Sequence, residues 1–105
     1  MGRQPGIGLS EHELSTVLEA WRGLSVPPAG AKLILFGSMA HGSARPQSDI
    51  DLAVKASEPV PLAVLAELEE ALEESDLVRT VDVLDYMRLS ASMQRQIDRD
   101  GVRVV

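Results

Sequence analysis

Cysteine is absent from this chain of 105 residues, so neither disulfides nor thiolate metal sites are available to it. Histidine is nearly absent: His12 and His41 are the only two, and without cysteine they cannot furnish a zinc hydrolase centre. No Gly-x-x-x-x-Gly-Lys-Ser/Thr run occurs, which excludes a P-loop NTPase at motif level. No apolar run approaches membrane-spanning length, and the first residues lack the apolar core of a signal peptide. A cytoplasmic protein without membrane contact is therefore expected. Positive charge is the scarcer sign, with 10 Lys and Arg against 16 Asp and Glu for a net charge of −6. That balance argues against a broad nucleic-acid surface, which relies on clustered basic residues. Arg95, Arg99 and Arg103 remain as candidates for a local basic patch. Internal repeats and low-complexity tracts are missing as well.

What is present is the composition of an ordinary globular protein, 45% hydrophobic and 25% charged. The length suits one domain. Residues 1–9 carry glycines around Pro5 and read as a loose lead-in, which leaves residues 10–105 as a single domain. Ser10 with Glu13 three positions on forms a capping box that opens a helix. Leu14, Val17, Leu18 and Trp21 then follow helical spacing and make one apolar stripe, with Trp21 a core residue. Pro27-Pro28-Ala29-Gly30 ends the helix and delivers the chain to an apolar run, Leu33-Ile34-Leu35-Phe36, expected to be a buried strand.

The following stretch, Gly37 to Lys55, carries the chemistry. Gly37-Ser38 breaks the strand, Gly42 follows, and a loop containing Pro46 leads into Asp49-Ile50-Asp51-Leu52-Ala53-Val54-Lys55. Apolar and acidic residues alternate there, so in a strand Asp49 and Asp51 project to one side and Ile50, Leu52 and Val54 to the other. Two neighbouring carboxylates repel each other and favour a bound cation. A glycine-serine turn at a strand end can present backbone N–H groups to an anion. Together these features describe a site for a metal–triphosphate complex. Further on, Pro61 opens a helix whose expected core stripe is Leu62, Leu65, Leu68 and Leu72, with Glu67, Glu69, Glu70, Glu73 and Glu74 on a solvated face. Val78 to Asp85 reads as a third strand, with Val81 and Val83 on one face and Asp82 on the other with Leu84. Asp85 points the opposite way at the strand end and is the weaker candidate for a site. Leu89, Met93 and Ile97 mark a last short helix closed by Gly101, and residues 102–105 could form an edge strand.

The pattern Gly-Ser-x-x-x-Gly…Ser-Asp-Ile-Asp-Leu resembles the nucleotidyltransferase fold of the DNA polymerase β superfamily, and most of all its minimal nucleotidyltransferases (MNT), antitoxin partners of HEPN proteins. In that superfamily a GS turn precedes a D-x-D strand, and a third carboxylate lies on a later strand, where this chain has Asp82. The resemblance implies an α/β (α+β) fold with a small mixed β-sheet backed by helices. It implies that Asp49, Asp51 and Asp82 are the catalytic and metal-holding residues, the ligands of two Mg²⁺ ions, and that Gly37 and Ser38 hold the triphosphate of ATP. Asp82 would also help deprotonate the incoming hydroxyl. Relatives often carry arginines in the turn after GS, where this chain has Met39 and His41; Arg45 is the candidate to take over their contact with phosphate. Gln47 takes a position that is often acidic. With no room for a second domain to present the acceptor, the resemblance implies a hetero-oligomer in which a HEPN protein brings a tyrosine hydroxyl to be modified with AMP. The alternative is a binding subunit of the same fold that neutralises or regulates its partner without catalysis. A small-molecule nucleotidyltransferase would need an added acceptor domain, and a response-regulator receiver is normally longer.

Overall fold

The computed structural model describes residues 9–37 and 49–105. Ser38, Met39, His41, Gly42, Arg45 and Gln47, and the lead-in residues before Leu9, lie outside the described residues. In chain order the elements are α1 (Glu11–Arg22), β1 (Lys32–Phe36), β2 (Ile50–Lys55), α2 (Leu62–Glu73), β3 (Val81–Asp85), a 3-10 turn at Tyr86–Arg88, α3 (Ala91–Asp100) and β4 (Val102–Arg103). The sheet runs β3-β2-β1-β4. β1 is antiparallel to both β2 and β4, whereas β2 and β3 are parallel. A parallel pair needs a crossover, and α2 supplies it. The expected mixed sheet with helices is what forms, and no described helix is long and apolar enough to cross a membrane.

Leu33, Ile34, Leu35 and Phe36 are all buried, because both faces of the sheet are covered. On one face Leu33, Leu35, Ile50, Leu52, Val54, Val81 and Val83 pack with Val17 and Trp21 of α1 and with Val64, Leu65, Leu68 and Leu72 of α2. On the other, Ile34, Phe36 and Ala53 meet Tyr86 of the 3-10 turn and Ile97 of α3. Leu68 is fully buried between α2 and the sheet. Truncating it to Ala is expected to cost about 2–5 kcal/mol of unfolding free energy, read as a lower urea midpoint at unchanged slope.

Several boundaries differ from the sequence reading, each for a physical reason. The capping box is present: Ser10 Oγ accepts from Glu13 N at 3.0 Å, and Ser10 N donates to Glu13 Oε1 at 2.9 Å. Leu9, assigned above to the lead-in, is buried in the same apolar cluster that Leu14 packs against, in the positions of a hydrophobic staple. Leu62 is exposed rather than in the core, at 69% of its surface, and Val64 takes the core position instead. With 3.6 residues per turn, Val64, Leu65, Leu68 and Leu72 share one face, and Leu62 falls about 120° away from Leu68. β3 begins at Val81 and not at Val78, since its partner β2 begins opposite it at Ile50, whose N–H donates to Thr80 O at 2.8 Å. Gly101 does close α3, but at φ −71° and not in the left-handed region. Glycine is required there by contact: a Cβ would stand 2.6 Å from both Ile34 Cγ2 and Ile97 O.

Candidate active site

β2 is flanked by β1 on one side and β3 on the other, and their registers place Phe36, Asp51 and Asp82 in one cross-strand row. Asp51 and Asp82 therefore lie on neighbouring strands, roughly 4.8 Å apart in backbone spacing, on the face opposite Ile50, Leu52, Val81 and Val83. Strand alternation puts Asp82 there because Val81 and Val83 are drawn to the opposite, apolar face. Asp51 is half-buried, Asp82 is exposed, and Asp49 is exposed just before β2 begins. Among the described strands β3 is the sheet edge, so Asp82 stands at the outer end of the row.

Gly37 completes the group from β1. Its φ of 75° lies in the left-handed region that favours glycine. A Cβ on Gly37 would come within 2.7 Å of Asp51 Oδ2. The backbone of the glycine turn thus lies directly against a carboxylate of the D-x-D strand.

The electrostatics of this row are those of neighbouring acids that repel one another. Burial raises the Asp51 carboxyl above its ordinary value, and the negative charges of Asp82 and then Asp49 raise it further. Among the described residues no three His, Cys, Asp or Glu side chains converge as a preformed metal cage. What exists is a pair on adjacent strands with Asp49 in electrostatic reach. Such a set of hard oxygen donors fits Mg²⁺, a cation that keeps several waters and shares its remaining positions with phosphate.

A match to the family of "Polymerase beta, Nucleotidyltransferase" extends over residues 28–105, from the turn before β1 through β4. The chain belongs to that family. The chain is 40% identical over 62 residues to the probable protein adenylyltransferase MntA of Haemophilus influenzae, a match covering 59% of this chain and 54% of that protein. The chain thus spans about half the length of that curated relative. Among solved structures it is similar to a toxin–antitoxin complex with AMP-PNP, with a TM-score of 0.71 and 27% identity, over 88% of this chain and 72% of that one. It is also similar to a complex of tri-AMPylated Shewanella oneidensis HEPN toxin with MNT antitoxin, with a TM-score of 0.63 and 25% identity, over 88% and 68% of the two chains.

The site residues read from the sequence thus divide in two. Gly37, Asp51 and Asp82 come together, with Asp49 beside them. Ser38 and Arg45 lie outside the described residues. The suggested basic patch is partly neutralised: Arg99 pairs with Asp100 at 3.2 Å, and Arg103 Nε donates to Val105 O at 3.0 Å. At the far end of β2, Lys55 Nζ lies 2.9 Å from Asp98 Oδ1 and 4.5 Å from the Tyr86 ring centroid, while Tyr86 OH donates to Asp98 Oδ2 at 2.7 Å. The hydrogen bond from Lys55, then that from Tyr86, lowers the Asp98 carboxyl below its ordinary value, and this cluster fastens α3 to the sheet.

Asp85, the weaker candidate by sequence, is fully engaged elsewhere. Only 4% of it is exposed, on the side of the sheet away from Asp82. Its Oδ2 accepts from Val60 N at 2.8 Å and from Arg88 Nη1 at 2.7 Å, and its Oδ1 accepts from Met87 N at 3.1 Å. The signal available in sequence was an inward-pointing carboxylate at a strand end, which demands donors but does not say where they come from.

Proposed function

We propose that this nucleotidyltransferase transfers AMP from ATP to a hydroxyl of a partner protein, a tyrosine of a HEPN-domain toxin, and acts as its antitoxin in the cytoplasm. The observation that carries the reading is the parallel register that sets Asp82 beside Asp51, with Gly37 against the Asp51 carboxylate. The similarity to a protein named as an adenylyltransferase supports it, as does the likeness to a complex holding an AMPylated HEPN toxin.

Asp51, Asp82 and Asp49 would hold Mg²⁺. When bound, Mg²⁺ supplies neutralisation of the charge that builds on the attacking and leaving oxygens. Gly37 and Ser38 hold the triphosphate through backbone N–H groups, and Arg45 adds positive charge. Asp82, exposed on the edge strand, takes the proton of the acceptor hydroxyl. The acceptor oxygen then bonds to the α-phosphorus, the bond from that phosphorus to the bridging oxygen breaks, and pyrophosphate leaves with the electron pair. An acceptor reaching the open edge of the sheet meets Asp82 before Asp51, which suits a side chain presented by a second protein.

Met39 and His41, where relatives often carry arginine, favour a second reading in which the chain binds and neutralises its partner without turnover. Incubation with α-labelled ATP, Mg²⁺ and a HEPN-domain protein separates the two. Label on the partner, lost with Asp49→Asn or Asp51→Asn, is the expected result. A stable complex that stays unlabelled, and that both Asn variants still form, would leave only the binding subunit.

A further inference from the structure

We infer that Asp85 is a positioning residue for the transfer site: its buried carboxylate sets β3 lengthwise against β2 and so keeps Asp82 opposite Asp51. The inference rests on the nucleotidyl-transfer reading for its functional meaning and on geometry alone for the tether.

Among the described residues β3 is an edge strand, bonded to β2 and to no other strand. Apolar alternation decides which of its side chains face the core, but a shift of two residues, about 6.6 Å, preserves that alternation. Val81 and Val83 therefore keep Asp82 on the correct face without deciding which residue of β2 it meets. Asp85 makes that decision. It is paired with Val54 in the ladder, on the buried side. Its carboxylate accepts from the backbone of Val60, a residue 1% exposed on the segment leaving β2. Arg88 Nη1 closes the node by donating both to Asp85 Oδ2 and to Val60 O, each at 2.7 Å. Shifting β3 would withdraw the carboxylate from these donors and leave it buried and unpaired, which is strongly disfavoured. Asp85 and Asp82 are three residues apart in one five-residue strand, so holding the first holds the second.

The test uses the full chain with Asp85→Ala and Asp85→Asn, the latter keeping one oxygen where Oδ2 now accepts from Val60 N and Arg88 Nη1 and placing an NH2 where Oδ1 accepts from Met87 N. Three readouts are taken: amide hydrogen exchange strand by strand, Mn²⁺ affinity by water-proton relaxation, and the kcat and KM of AMP transfer. For Asp85→Ala the expected result is about tenfold or more loss of protection in the β2–β3 ladder with β1–β2 little changed, together with about tenfold weaker Mn²⁺ binding. The kcat should fall with an ATP KM within about threefold of wild type, and Asp85→Asn should recover part of each loss. Wild-type ladder protection and Mn²⁺ affinity in Asp85→Ala would overturn the inference, as would equal loss of protection in both ladders. If Asp85→Ala does not fold, Arg88→Ala replaces it, with the same pattern expected in weaker form and the same results counting against it. A wild-type protein that transfers no label fails the reading under Proposed function alone, since exchange in the two ladders still decides whether Asp85 holds the register.

Discussion

Asp51→Asn is expected to lower AMP transfer roughly a thousandfold, about 4 kcal/mol of transition-state stabilisation, while making the metal-free protein more stable rather than less. The two effects share one cause. Burial and the charges of Asp82 and Asp49 raise the Asp51 carboxyl, so the folded state holds its proton more tightly than the unfolded chain does. Stability from this group is fully present below the ordinary carboxylate value, 3.8, and is lost as pH rises through the raised one. At neutral pH the wild type therefore carries a charge that its own fold disfavours, and the amide removes it. Thermal melts from pH 3 to 7 should show the Asn variant gaining on the wild type as pH rises, with part of the gain screened by solvent because Asp51 is only half-buried. Adding Mg²⁺ at pH 7 should raise the wild-type midpoint and leave that of the variant nearly unmoved. A variant less stable than wild type at pH 7 without metal would mean that the row of acids is not under repulsion.

The same row shows how far the residues alone could be read. The run from Leu33 to Phe36 announces a strand buried on both faces, and the alternation from Asp49 to Lys55 announces a second with its acids on one side. Asp82 was legible from alternation too, since Val81 and Val83 leave it only one face. What alternation cannot supply is which strands are neighbours. That Asp51 meets Asp82 on one side and Phe36 on the other depends on α2 returning the chain parallel to β2, a contact between residues some thirty positions apart. The same limit hid the work of Asp85, whose donors include Val60, 25 positions away. Leu62 misled because leucine every third or fourth position looks like a stripe until the angle per residue is counted. Leu9 was obscured by the glycines before it, although an apolar residue just ahead of a capping box is itself a staple signal. Local chemistry was therefore readable, and the juxtapositions that make a site were readable mainly where a known pattern named their order.

Gly37→Ala is expected to damage the site far more than the fold, and Gly30 provides the internal comparison. Both glycines sit in the left-handed region, at φ 75° and 66°. An L-residue there costs about 1–2 kcal/mol, so each Ala variant should lose a similar amount in urea unfolding. Their surroundings differ completely. A Cβ at Gly30 meets nothing within 4 Å, whereas at Gly37 it meets Asp51 Oδ2 at 2.7 Å. The Asp51 side chain must then rotate away, which withdraws it from Asp82 and from the Gly37 backbone at once. Transfer by Gly37→Ala should fall about a hundredfold or more, in keeping with what a misplacement of about 1 Å costs in an active site. Mn²⁺ affinity should fall with it. Gly30→Ala, measured at a temperature where both variants remain folded, should keep activity and Mn²⁺ affinity within about twofold of wild type. If both variants lost activity in proportion to stability alone, the contact between Gly37 and Asp51 would carry no functional weight. If Gly37→Ala lost metal affinity while Gly30→Ala did not, the smallest residue in the chain would be acting by leaving room for a carboxylate.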